Sequence, residues 1–148
     1  MIKATSVIHS HEPPVDTVTL SYDDRYRRRI VFTGDNGLTF LLDLPKTTEL
    51  QHGNDLLLED GRHVRVVAAQ EQLMKVTSKN ARHLLTTAWH IGNRHLPCQI
   101  NEKCLILRYD HVISDMLHKL GASVENFEAP FNPEGGAYGF GRTHSHDH

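Results

Sequence analysis

The hydrophobic period of this 148-residue chain changes once, near residue 70, and that change limits what it can fold into. Before it, apolar residues follow the period of two that belongs to strands. After it, two stretches repeat at helical spacing. A chain of this length holds one ordinary domain or two small ones, and the change of period favours two.

In the first half, Val15–Leu20 partly alternates. From Arg25 to Phe32, period two sets Tyr26, Arg28, Ile30 and Phe32 on one side and Arg25, Arg27 and Arg29 on the other, the latter as a solvated strand face. Asp35-Asn36-Gly37 is a turn signal before Leu38–Leu44, and Pro45 interrupts the run. Leu56–Glu59 and Arg62–Val67 flank Asp60-Gly61, the pair a type I′ hairpin turn prefers. Short antiparallel strands at this spacing predict a mainly β domain over residues 1–70.

In the second half, Leu73–Thr77 reads as a strand and Ser78 as a helix N-cap. Ala81, Leu84, Leu85, Ala88, Trp89 and Gly92 then form one helical stripe, with Gly92-Asn93 as a stop and Pro97 beyond it. Two short strands follow, Cys98–Asn101 and Cys104–Leu107. Asp110 caps a second helix, Val112, Ile113, Met116, Leu117 and Leu120 form its buried stripe, and Gly121 ends it. Ser123–Phe127 is a last strand. The order β-α-β-β-α-β predicts an α+β, ferredoxin-like domain over 71–129. Residues 130–148 carry two prolines, a glycine-rich stretch and Arg-Thr-His-Ser-His-Asp-His, and are expected to form a flexible tail.

The near balance of 16 Lys and Arg against 18 Asp and Glu argues against a nucleic-acid binder acting through bulk charge. No apolar run approaches the roughly 18 residues of a membrane-spanning helix. The N-terminus shows no secretory signal, so a soluble cytoplasmic protein without a membrane partner is expected. Cys98 and Cys104 are too few for a disulfide framework and lack C-x-x-C spacing; they read as buried thiols in a hairpin.

Twelve histidines are the compositional anomaly. His144, His146 and His148 form H-x-H-x-H, which in an extended segment sets three imidazoles on one side and reads as metal capture. His111 and His118 sit seven apart on the second helix, roughly 10 Å along its axis, too far to share one ion. His83 and His90 repeat that spacing on the first helix. His83, His90 and His118 are expected on solvated faces, and the i, i+4 pair of H-E-x-x-H zinc enzymes is absent. His9-x-His11 is at most a weak secondary site, and His52 and His63 have no useful spacing. His95 lies just past a helix end, before Pro97. Alone it is a poor site, but an isologous dimer would bring two copies together at the axis.

Several of these segments together resemble one family. Gly92-Asn-Arg-His95-Leu-Pro97, Asp110-His111-Val112 with Asp115-Met116-Leu117, and Pro133-Glu-Gly-Gly-Ala-Tyr138 are similar to the urease accessory metallochaperones of the UreE family. Leu41-Leu-Asp-Leu-Pro45, Leu58-Glu-Asp-Gly61 and the histidine-bearing C-terminus are similar too. The resemblance implies a homodimer, each chain with an N-terminal partner- or peptide-docking β-domain and a ferredoxin-like metal-binding domain. It implies a nickel carrier, not an enzyme, that also binds Zn(II) and passes Ni(II) through the GTPase UreG to the urease apoprotein complex for assembly of the urease active site. It makes His95 the principal metal ligand, one copy from each subunit, and His111 a peripheral one. A second histidine found near that peripheral site in some members is Tyr109 here, and the long polyhistidine tail of others is reduced to His144, His146 and His148.

Imidazole donors also suit Zn(II) and Cu(II), and raw affinity favours copper, so selectivity for nickel must come from geometry, partner and availability. Two other readings stand beside the carrier. One is an adaptor: either a general Ni/Zn-binding adaptor or metal buffer, or a peptide-binding module with the β-domain as its working part and the tail incidental. The other is a histidine-rich metalloenzyme, which would need three ligands at fixed spacing with an open position, a pattern not found in the folded part of the sequence.

Overall fold

A computed structural model describes residues 1–135 of the chain. It divides into two units, Met1–Ala69 and Gln70 onward.

The first unit is one six-stranded sheet. Its strands are β1 (Lys3–Ile8), β2 (Asp16–Leu20), β3 (Tyr26–Thr33), β4 (Thr39–Glu49), β5 (Asp55–Leu58) and β6 (His63–Ala68). They lie in the order β2-β6-β5-β1-β4-β3. The sheet is mixed, not antiparallel throughout: β1 runs parallel to β4 and β2 parallel to β6. Period two builds the core directly. Phe40, Leu42 and Leu44 of β4 are buried in alternation, as are Val64, Val66 and Ala68 of β6 and Val18 and Leu20 of β2. Phe32 stands opposite Phe40, their rings 5.9 Å apart and tilted by 57°.

Three local expectations fail here for identifiable reasons. Arg25 does not lie on a solvated strand face. It ends a short 3-10 turn, Asp23–Arg25, and is only 2% exposed, its guanidinium over the Tyr22 ring and within 3.4 Å of the Leu20 carbonyl. Cation–π stacking and that acceptor compensate its loss of water. Pro45 does not end its strand. The β3–β4 register slips between Arg27↔Thr48 and Arg29↔Asp43, so the proline sits inside a bulge where no ladder hydrogen bond is asked of it. The Asp60-Gly61 turn is not type I′, because only Gly61 has positive φ (+91°). Gly61 N–H donates to the Leu58 carbonyl and Leu58 N–H to that of Arg62, a type I turn followed by a glycine bulge.

The second unit holds a four-stranded sheet and two helices. In chain order they are β7 (Gln70–Thr77), α1 (Ala81–Asn93), β8 (Gln99–Ile100), β9 (Leu105–Arg108), α2 (His111–Lys119) and β10 (Ser123–Pro130). The sheet order is β10-β7-β9-β8, and every neighbouring pair is antiparallel. Met74, Val76, Leu105 and Leu107 of the sheet pack with Ile91 of α1 and Leu117 of α2. Asn80, not Ser78, caps α1, its side chain accepting from His83 N–H at 2.8 Å. Asp110 caps α2 as read, accepting from Val112 and Ile113 N–H. Cys104 is buried and Cys98 half-buried, both free thiols.

The α1 stripe turns by one position. Leu84, Ala88 and Ile91 reach the core, whereas Leu85 and Trp89 are 72% and 63% exposed. Val112 at the start of α2 is likewise 61% exposed. No described helix is long and apolar enough to cross a membrane.

Candidate metal centre

Both helices of the second unit end by the same device. In α2, Leu120 is the C-cap and Gly121 follows at φ +85°. Gly121 N–H donates to the His118 carbonyl and Ala122 N–H to that of Leu117. This is the Schellman motif, whose pivotal residue must enter the left-handed region and is usually glycine. In α1, Arg94 is the C-cap and His95 takes the pivotal place at φ +57°. His95 N–H donates to the Gly92 carbonyl, and Leu96 N–H reaches that of Ile91 at 3.5 Å. Leu96 packs on the cluster that holds Ile91, the apolar contact that accompanies the motif.

His95 is therefore the one non-glycine residue with positive φ among the described residues. An L-residue there costs about 1–2 kcal/mol, which the surrounding motif overcomes. The arrangement projects the exposed imidazole from a backbone whose hydrogen bonds are already closed.

The other sequence-predicted ligands divide. His111 is the first residue of α2 and is exposed. It follows Asp110, which lines a cleft of about 320 Å³ that Leu96 and Pro97, the two residues after His95, also line. His95 and His111 thus adjoin residues of one cleft. His144, His146 and His148 lie outside the described residues. Among the described residues, no three His, Cys, Asp or Glu side chains are gathered as a metal cage.

His118 is exposed, as expected. His90 is half-buried, its ring 5.2 Å from that of Trp89 in an edge-on arrangement. His83 is not on a solvated face. Its Nε2–H donates to the Leu120 carbonyl at 2.7 Å, tying the first turn of α1 to the last turn of α2, and its Nδ1 is buried. Burial pushes the Cys98 thiol up to about 11, with the Glu134 and Cys104 charges adding to the rise and a backbone hydrogen bond from Ile106 opposing it.

One part of the site left no readable signal. After β10, Phe131 is fully buried with the Arg108 guanidinium over its ring at 5.7 Å. Asn132 N–H donates to Gln99 Oε1 at 3.3 Å and Glu134 N–H to the Cys98 carbonyl at 2.9 Å. The chain is thus fastened at Glu134 beside Cys98, three residues from His95. A lone Phe between prolines carries no period, so only tertiary contact reveals it.

Comparison with known proteins agrees over both units. Residues 1–69 match the family described as "UreE urease accessory protein, N-terminal domain", and residues 71–148 match its C-terminal domain. Among similar proteins, "Urease accessory protein UreE" of Chelativorans sp. (strain BNC1) is 53% identical over 147 residues, covering 99% of this chain and 91% of that protein. The proteins of the same name from Ruegeria sp. (strain TM1040) and Ruegeria pomeroyi are 55% and 53% identical, covering 92% and 90% of this chain and 76% and 87% of theirs. These relatives are named for assisting urease, not for an enzymatic activity of their own. The matches span both units at more than half identity, so the chain belongs to the UreE family of urease accessory proteins and is not an enzyme.

Proposed function

We propose that this protein is a cytoplasmic carrier that receives Ni(II) and delivers it to the urease maturation complex, with UreG as the GTPase that takes the metal on. The carrying unit, residues 71–129, is read as a ferredoxin-like domain in which the strand order β10-β7-β9-β8 splits each β-α-β crossover around an antiparallel strand. Residues 1–70 are assigned to partner docking and 130–148 to the histidine tail.

The observation that carries this reading is His95 at positive φ. A glycine would end α1 more cheaply, as it ends α2, and an exposed imidazole held there has a use in coordination that it lacks in packing. A single imidazole is not a site. Two copies across a two-fold axis are the beginning of one. The exposed Leu85 and Trp89, one turn apart on α1, supply apolar surface for such a homodimer. The remaining ligands come from His144, His146 and His148. From Gly135 to His144 the chain spans up to about 30 Å at 3.3–3.6 Å per residue. His111 is the peripheral ligand.

Ligands from two rigid loops and a tail suit transfer. The fixed pair grips the cargo, and tail imidazoles leave one at a time as a partner's ligands replace them. Zn(II) and Cu(II) suit the same donors, so availability and partner decide the cargo. Each imidazole must be unprotonated to bind, so affinity falls in acid with release of metal.

The test is calorimetry and oligomer mass on the metal-free protein and on His95→Ala. One tight nickel per dimer in the wild type, lost in a variant that remains dimeric, is the expected result. One nickel per dimer at wild-type strength in His95→Ala overturns the assignment. In reconstituted urease maturation at limiting nickel the variant is expected to fail, with partial rescue by excess nickel.

A further inference from the structure

The two edges of the first sheet differ. At the β2 edge, Asp35 of the β3–β4 turn lies across the strand. Its N–H donates to the Thr17 carbonyl at 2.8 Å, and its carboxylate accepts from the Thr17 and Thr19 hydroxyls at 2.6 and 2.8 Å. β3 ends the sheet on the other side, with β4 as its one neighbour in the strand order. The ladder fixes how β3 faces that side. Leu41 N–H donates to the Ile2 carbonyl at 2.9 Å, toward β1. Leu41 therefore turns its backbone groups away from β3, so Val31↔Leu41 is a pair without mutual hydrogen bonds. The N–H and C=O of Val31 then point to the open edge. Those of Arg29, two residues back in the same unbroken register, point there too.

The side chains along this edge invite pairing. Val31 is 50% exposed, an apolar β-branched residue beside outward backbone groups. The Arg29 side chain is 55% exposed. The bulge that disturbs the strand ends before Arg29 and leaves the rest of β3 regular.

Charge decides what can pair here. Arg27, Arg28 and Arg29 follow one another, and Lys46 is exposed in the facing bulge of β4. Asp24 takes Arg27 at 2.9 Å, but Asp43 is 3.8 Å from Arg29. Arg28 reaches only the Leu44 carbonyl, at 3.4 Å, and neither it nor Lys46 has a carboxylate partner among the described residues. A second copy of β3 would bring three more arginines to the edge and add like charge to like. An extended segment with acidic residues at alternate positions meets opposite charge at Arg29 and sets a β-branched residue against Val31, both favourable cross-strand pairs.

We propose that the β3 edge is the docking surface for an extended acidic segment of a partner protein, added to the sheet as a further strand beside Arg29 and Val31. Main-chain hydrogen bonds supply the binding, and the arginines select the partner. The inference rests on the assignment of residues 1–70 to partner docking and gives that assignment a surface and a chemistry.

The probe is a short blocked peptide of alternating glutamate and valine, added to the full-length metal-free protein. Amide hydrogen exchange should slow at Arg29 and Val31 and stay unchanged along β2. Lysine in place of glutamate should abolish the effect. Val31→Pro removes one outward N–H without touching the β3–β4 ladder, and should weaken peptide binding about tenfold. Arg29→Gln gives up an exposed ion pair that contributes little to folding. It should weaken binding about fivefold, and less so in high salt. No slowing at Arg29 and Val31, equal capture of the lysine peptide, or undiminished binding by both variants overturns the proposal. Slowed exchange at these amides in a protein that does not associate with the urease maturation complex would refute the partner-docking reading and leave the acidic-strand site standing. Association unchanged in Val31→Pro, with no peptide capture by the wild type, would do the reverse.

Discussion

Replacing His95 by glycine should stabilise the metal-free protein while destroying its metal site. The backbone there is at φ +57°, the place filled by Gly121 in the matching motif of α2. A side chain in the left-handed region costs about 1–2 kcal/mol, which glycine avoids. Glycine also widens the unfolded ensemble, which costs about 0.4–1 kcal/mol in return. The net expectation is a gain of about 0.5–1 kcal/mol. For units of this size that is a rise in melting temperature of about 2–8 °C. His95→Ala keeps the left-handed cost and removes no packed contact of the core, so it should lie at or slightly below wild type. The apo order is then Gly above His, with His at or above Ala. Nickel should reverse it. A ligand at one hundred times its Kd adds about 2.7 kcal/mol to the state that binds it, and only the wild type binds tightly. The assay is urea or thermal unfolding of the three proteins, each with chelator and with saturating nickel. A glycine variant less stable than wild type in chelator would refute the backbone argument. Equal stabilisation of all three by nickel would refute the ligand assignment.

Four further outcomes are expected. Gly34→Ala should destabilise the first unit by about 2–3 kcal/mol in urea unfolding, because a Cβ there would fall inside the buried Asp16 carboxylate. Burial pushes the Asp16 carboxyl up, but the N–H groups of Leu38, Asn36 and Thr17 outweigh that and hold it below its ordinary 3.8. Its contribution to stability is therefore complete above about pH 4 and lost as the pH falls through the lower folded value, so Asp16→Asn should be less stable at neutral pH and show a flatter acid limb. Cys98, raised to about 11, should resist alkylation at pH 7.5 in the native state and react fully in denaturant; rapid native labelling would show the thiol is not desolvated. His83→Ala should cost about 1 kcal/mol by freeing the Leu120 carbonyl, whereas His118→Ala, on an exposed face, should change thermal stability little.

The sequence was informative wherever one residue type has one common reason to be where it is. Asp110 ahead of an apolar stripe and Gly121 behind it bounded α2 because caps are local chemistry. Asn80 and Ser78 are both good N-caps, and the choice between them depends on where β7 releases the chain, which no local pattern records. Arg25 shows the limit of period two. The chain had already left the strand at that point, so the alternation that placed it outside was counted from the wrong origin. The exposed Leu85 and Trp89 fit a helical stripe as well as Leu84 and Ile91 do; periodicity finds the apolar arc of a helix but not which edge faces the sheet. For the candidate site, the neighbours Gly92 and Pro97 single out His95 in the sequence, yet nothing in them marks its left-handed backbone, because a histidine does not announce a position that glycine normally holds.

The long-range pairing of the strands has a consequence for how the protein is made. In the first unit β2 finds its partner only at β6, as in Asp16↔Val64, and in the second unit β7 finds β10 only at the end, as in Gln70↔Pro130. Such separations raise contact order, so loop-closure entropy must be met before the pairing returns anything and folding slows. On a ribosome the first sheet can close once Ala68 has emerged, while β7 waits with its β10 edge uncovered until residue 130 is out. An open strand edge is a template for unwanted pairing, and synthesis at about 5–20 residues per second prolongs that exposure over several seconds. The second unit therefore passes its most aggregation-prone interval during translation, and Phe131, the first residue after its last strand, completes the apolar cover just as the interval ends.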